Sequence, residues 1–131
     1  MARPPPADTP ARRRRQAAHA RGLDAEARAA GLLEARGFAI LERRLRTGAG
    51  ELDLVARCGD LLVFCEVKLR ADLVVAAESL QPRQRRRIAA AAEAYLATRP
   101  ELAGLHMRFD AVLLGRDGGA EHLEGAFDLD G

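Results

Sequence analysis

The sequence predicts an α/β domain, with a central mixed sheet and helices on its faces. Three observations predict it. Residues 51–58 and 61–68 alternate as two strands about Gly59-Asp60, a two-residue hairpin signal. Helical spacing precedes them at residues 22–36 and follows them at residues 82–98. A further alternating run, residues 105–114, supplies another strand. The order of helix, three strands, helix and one or two strands suits a layered α/β arrangement. With 131 residues and 48% hydrophobic content, one domain with a modest core is expected, at residues 21–131.

Taken in order, residues 1–20 form a Pro/Arg-rich tail, with Pro4, Pro5, Pro6 and Pro10 followed by Arg12 to Arg15. Such sequence has too little apolar surface to offset its ordering entropy, so it reads as disordered, or at most a frayed helix from Ala11. A basic arm that tracks phosphates and a solvated tail are both open readings. In the helix at 22–36, closed by Gly37, the stripe of Gly22, Ala29 and Leu33 also carries Glu26. A glutamate there is costly unless paired or linked to a metal. Arg43 and Arg46 are its candidate partners, and a place in a metal site is the other reading.

A strand at 38–45 ends in Arg43, Arg44 and Arg46, ahead of a flexible glycine-flanked loop, Thr47-Gly48-Ala49-Gly50. These arginines are candidate clamps for phosphate oxygens. After the hairpin, residues 71–80 read as a linker. Ser79 or Gln81 opens the second helix, with Pro82 in its first turn. Gln84, Ile88, Ala91 and Tyr95 share one face, while Arg83, Arg86 and Arg87 form the strongest basic cluster of the folded part. The strand at 105–114 contains Asp110 among apolar neighbours, which suits a buried structural partner for an arginine. A short final strand is expected near His122 and Leu123.

The hairpin carries the chemistry. A two-residue loop pairs Cys58 with Leu61, Val55 with Phe64, Asp53 with Glu66 and Glu51 with Lys68. One face then collects Leu52, Leu54, Ala56, Val63, Cys65 and Val67; the other carries Glu51, Asp53, Glu66 and Lys68 beside Val55, Leu62 and Phe64. Two carboxylates directly opposed across a ladder repel each other. Their convergence beside apolar residues makes sense around a divalent cation. Of 21 basic residues, 20 are arginine and only Lys68 is lysine. Where arginine serves everywhere else, one retained ammonium points to a chemical requirement for it.

These residues resemble the core of the PD-(D/E)xK nuclease superfamily, with its restriction-endonuclease-like fold. More narrowly, GELDLVA, VFCEVKLR, RFDAV and HLEGAF resemble the YraN-like family of small bacterial proteins, itself similar to archaeal Holliday-junction resolvases. The resemblance implies Mg²⁺ or Mn²⁺ on Asp53, Glu66 and the Val67 carbonyl, with Glu26 linked through water. It implies that Lys68 orients the attacking water and that Gln84 lies near the site. The implied partner is nucleic acid, most of all DNA, with Arg43, Arg44, Arg46, Arg70, Arg83, Arg86 and Arg87 on its phosphates. This sequence departs from the family pattern at Leu52 (for the superfamily's proline), Arg44 (for asparagine) and Arg83 (for lysine).

The expected activity is metal-dependent hydrolysis of phosphodiester bonds in DNA, branched DNA included. The alternative is a non-catalytic nucleic-acid-binding or scaffold protein on the same fold. A net charge of +2 gives no global electrostatic case for nucleic acid, so local clusters carry that expectation. Action on a two-fold junction would call for a homodimer. Cys58 and Cys65 do not face each other in the hairpin, which suits free thiols in a reducing cytoplasm. No run is long enough to span a bilayer, and the three histidines show no zinc spacing.

Overall fold

The computed structural model describes residues 9–127, apart from the side chains of Pro82 and Phe127. Helix α1 (Pro10–Ala35) begins with Thr9, whose hydroxyl accepts from the Arg12 N–H at 3.1 Å, and with proline in its first turn. The chain is helical from Pro10, close to the expected alternative of a helix from Ala11 and well before residue 22; residues 1–8 lie outside the described residues. Only the second half of α1 is anchored, through Ala25, Ala29, Ala30 and Leu33. Burying a leucine fully stabilises by about 2 kcal/mol, and small alanines let the helix lie close to the sheet. Gly37 closes the helix in the left-handed region at φ 92°, its N–H bonded to the Glu34 carbonyl.

Five strands follow: β1 (Ala39–Thr47), β2 (Gly50–Cys58), β3 (Leu61–Arg70), β4 (His106–Gly115) and β5 (Ala120–Phe127). They lie side by side in sequence order; β3 and β4 are parallel and the other neighbours antiparallel. The sheet is mixed, as expected. The parallel step requires a long crossover, made by α2 (Leu73–Glu78), α3 (Pro82–Ala97) and a single 3-10 turn at Pro100–Leu102. Helix α2 replaces the expected linker. Its six residues are too few to show a period, and Asp72 caps it by accepting from the Val75 N–H at 3.0 Å. Gln81 is the N-cap of α3.

Two apolar layers sandwich the sheet. Against α1 lie Leu54, Ala56, Val63, Cys65, Val112 and Leu114; against Ile88, Ala91, Ala92 and Tyr95 of α3 lie Val55, Leu62, Phe64 and Phe109. Leu52 belongs to the α3 layer with Leu45, not to the face of Leu54. The reason is local. The β2–β3 ladder stops at Leu54↔Cys65, while β2 stays paired with β1, Leu45↔Leu52 included. Beyond Leu54 the two strands splay, and β2 turns Leu52 towards α3.

The β1–β2 connection is tighter than a flexible loop. Thr47 pairs with Gly50, and the Thr47 hydroxyl donates to the Gly50 carbonyl at 2.7 Å while accepting from the N–H groups of Ala49 and Gly50. Gly50 (φ 154°) does serve a close approach, but to α3: a Cβ there would meet the Arg87 carbonyl at 3.4 Å.

Asp110 is a buried partner for an arginine, as its setting suggested. Its side chain is fully buried and accepts two hydrogen bonds from Arg108, at 2.8 and 2.9 Å. It also accepts from His122 Nε2 at 2.7 Å and from the Gly125 N–H at 3.0 Å. Arg36 only donates, so its 2.6 Å bond makes His122 Nδ1 the acceptor and leaves the ring hydrogen on Nε2, facing Asp110. Gly125 (φ 60°) sits where the β4–β5 register shifts between Phe109 and Ala111. The histidine and glycine of HLEGAF thus both serve one carboxylate.

Candidate metal and active centre

The splay in the sheet builds the site. Where β2 leaves β3, the Val67 N–H has no backbone acceptor, and Asp53 Oδ2 takes it at 2.8 Å. The expected register holds for Cys58↔Leu61 and Val55↔Phe64. The pairs Asp53–Glu66 and Glu51–Lys68 do not form in the ladder; a side chain has replaced the backbone there. The two carboxylates nevertheless converge, as hydrogen-bond neighbours. Glu66 Oε1 also lies 3.1 Å from the Lys68 ammonium, and Lys68 is only 6% exposed. In a strand the N–H and C=O of one residue leave on the same side, so the Val67 carbonyl is turned towards Asp53 as well.

Burial and the neighbouring Glu66 carboxylate push Asp53 from its ordinary value up to about 7, against the pull of the Val67 N–H. The centre is thus rich in acceptors and short of positive charge. Gln84 adds to this: its buried Oε1 has no hydrogen-bond partner among the described atoms. It borders the same depression of about 440 Å³ as Gly50, Glu51, Asp53, Glu66 and Arg87. Two carboxylates, one carbonyl and an open amide acceptor fit a hard divalent cation that keeps several waters. Among the described residues no group of three or more His, Cys, Asp or Glu side chains converges, so Glu26 is not part of a direct ligand set.

Glu26 meets Arg44, not Arg43 or Arg46: the Nε to Oε1 distance is 2.9 Å. Burial pushes its carboxyl up, with Arg44 pulling it down. Arg44 holds this contact from a left-handed conformation (φ 49°), unusual for a residue with a Cβ. The three arginines at the end of β1 therefore do not act as one clamp. Arg43 lies 3.5 Å from Glu34 of α1, and Arg46, largely exposed, lies 3.6 Å from Glu51. On α3, Arg83, Arg86 and Arg87 border a common depression with Gln81 and Gln84. Arg70 donates to the neighbouring Leu69 carbonyl and faces a separate depression on the α1 side.

Sequence reasoning missed two residues near this centre, Arg21 and Arg116, which border the α1-side depression with Arg70, Glu26 and Asp53. No local pattern marks them. Arg21 falls between the expected tail (1–20) and the expected helix (22–36), and Arg116 follows β4, far from the hairpin in sequence.

Fold and site together define an α/β sheet protein with a carboxylate pair and a buried lysine at a split between two strands. The chain belongs to the uncharacterised protein family UPF0102, the YraN-like proteins, whose model matches residues 25–114. It is similar to the UPF0102 protein of Azorhizobium caulinodans, with 79% identity over 131 residues covering 100% of both chains. The UPF0102 protein of Bradyrhizobium sp. (strain BTAi1) is 51% identical, over 91% of this chain and 88% of that one. Among solved structures, Pyrococcus furiosus SfsA in complex with Ca²⁺ aligns over 71% of this chain and 56% of its own. That alignment has 16% identity and a TM-score of 0.26, too low to carry an argument.

Proposed function

We propose that the protein is a Mg²⁺- or Mn²⁺-dependent nuclease acting on DNA. One observation carries the reading: two converging carboxylates, Asp53 and Glu66, with the chain's single lysine 3.1 Å from one of them. An acidic pair of this kind is costly without a cation, and among the described residues Lys68 forms its ion pair with Glu66. A bound divalent ion supplies Lewis-acid polarisation of a phosphate and a more acidic water. This chain's residues do the rest. Asp53, fixed by the Val67 N–H, and Glu66 hold the ion. Lys68 orients the attacking water and balances charge that develops on the phosphate. Gln84 offers its free acceptor to a water of the same site. Arg87 borders the depression and the rest of the α3 arginines extend the basic surface, where they meet the phosphate backbone.

The pairing of Glu26 with Arg44 favours a second reading, a nucleic-acid-binding protein without turnover, because it withholds a third carboxylate from the centre. Cleavage assays on linear, nicked and four-way DNA with Mn²⁺ decide between the two. Cleavage that disappears in Glu66→Ala supports the nuclease; binding without cleavage of any form supports the second reading. Ion binding is tested separately by melting. Mn²⁺ raises the melting temperature of the wild type and not that of Asp53→Ala with Glu66→Ala, because only the native site binds it. Equal shifts would remove the metal.

A further inference from the structure

Asp53 borders two depressions at once. One lies towards α3; the other, of about 240 Å³, lies on the α1 side of the split and is bounded by Ala18, Arg21, Gly22, Ala25, Glu26, Val67, Leu69, Arg70 and Arg116. Three arginines thus line one small hollow from three elements: the first half of α1, the end of β3 and the turn after β4. Arg70 and Arg116 are tied by backbone, the Arg116 N–H donating to the Arg70 carbonyl at 2.8 Å. No carboxylate of the described residues forms a recorded ion pair with Arg21, Arg70 or Arg116, whereas Glu26 in the same hollow is already matched by Arg44. After that pairing the hollow keeps three positive groups against Asp53 alone.

We infer that this hollow is a phosphate subsite, filled by the nucleotide next to the one held at Asp53 and Glu66, on the side away from α3. The inference rests on the nucleic-acid reading and deepens it. Guanidinium forks match phosphate oxygens in geometry as well as charge. Asp53 borders both depressions, so a strand that runs over Arg87 and past Asp53 at the end of the split reaches this hollow. The first half of α1, which buries no residue among those described, is then the wall of a binding groove, with Arg21 at its inner end.

The test is binding of a fluorescent single-stranded oligonucleotide, read by anisotropy over a range of salt concentrations, in Ca²⁺ to suppress cleavage. Arg21→Ala with Arg116→Ala removes two phosphate contacts and is expected to lower the slope of log affinity against log salt by roughly 1.4 for a single strand. A charge-matched control, Arg28→Ala with Arg57→Ala, removes two exposed arginines that do not border the site; its slope should stay near that of the wild type. Arg83→Ala with Arg87→Ala reports the α3 side independently. If the Arg21/Arg116 variant behaves like the control while the α3 variant loses binding, the subsite is overturned and the nucleic-acid reading stands. If the wild type binds no oligonucleotide, both fall. Melting curves confirm that each variant is folded, as expected for exposed positions.

Discussion

Asp110 and Asp53 are aspartates of the same sheet, two strands apart, and they are treated in opposite ways. Asp110 has no exposed surface and a full set of donors: the Arg108 fork, the His122 ring and the Gly125 N–H. Burial alone would raise its pKa, but these donors more than offset that and hold it below the ordinary carboxylate value. Asp53 has one backbone donor, a second carboxylate beside it, and a pKa pushed up to about 7. A satisfied buried carboxylate stabilises a fold. One with so few donors, kept at a split in the sheet, is where the proposed cation would sit.

The partner types differ too, and exchanging them should give the largest effect. Asp110 is gripped by arginine, Glu66 by lysine. Lys68→Arg brings the structural kind of partner into the other centre. A guanidinium is bulkier and stays protonated, so single-turnover cleavage is expected to fall by about a hundredfold to ten-thousandfold with the fold intact by circular dichroism. Cleavage within a few-fold of the wild type would reduce Lys68 to a charge.

Next comes Asp110→Ala, which leaves Arg108, His122 and Gly125 facing an empty acceptor. Breaking a buried, hydrogen-bonded charge set costs about 3 kcal/mol or more, read by urea unfolding. The melting shift on adding Mn²⁺ should persist, since the two centres are separate. Because the folded pKa of Asp110 is depressed, its contribution is present above the unfolded value, near 3.8, and is lost as pH falls below it.

The pH dependence of Asp53 has the opposite sign. Its folded pKa is raised, so the native state holds a proton that the unfolded chain has released between pH 3.8 and about 7. Its stability contribution therefore declines across that window, by up to about 1.4 kcal/mol per pH unit, and is flat above it. Asp53→Asn should remove this decline, seen as the difference between the two proteins' melting curves from pH 4 to 8. Mn²⁺ should displace the proton, so its affinity rises with pH to about 7. An identical pH profile in the variant would contradict the raised value.

The smallest effect is expected at Arg44. Arg44→Gly relieves a left-handed backbone and gives up a partly exposed ion pair with Glu26; the two oppose each other, so stability should change by no more than about 1 kcal/mol. A larger Mn²⁺ melting shift in this variant would place Glu26 with the unsatisfied centre; no change would leave it a structural pair.

Much of this contrast was legible before any coordinates. The Gly59-Asp60 turn fixes the register from Cys58↔Leu61 to Leu54↔Cys65, and Glu66 and Lys68 follow on one strand; Asp53 lies just past the end of that ladder and reaches β3 through its side chain instead. Helical spacing likewise put Ile88, Ala91 and Tyr95 on one core-facing side, and the family resemblance put Gln84, on the same face, near the site. What stayed hidden is long-range. The β2–β3 ladder ends at Leu54 while β2 stays paired with β1, and no pattern in either strand's sequence marks that end. His122 finds Asp110 across a bulge, and Glu26 chooses Arg44 through a backbone angle that its sequence neighbours do not announce. Six residues of α2 are too short for any periodicity to show.

Lys68 is the chain's one ε-amine, held in the middle strand of the sheet at 6% exposure. Among side chains a lysine-directed acylating reagent has a single address here, and so has a protease specific for lysine alone. Cleavage at that address separates Asp53 and Glu66 from Asp110, so the products distinguish the two centres by mass alone. The rate at which Lys68 reacts, set against the rate in the unfolded chain, measures how often β3 is uncovered. The residue therefore carries its own clock for the opening of the sheet, with no label added.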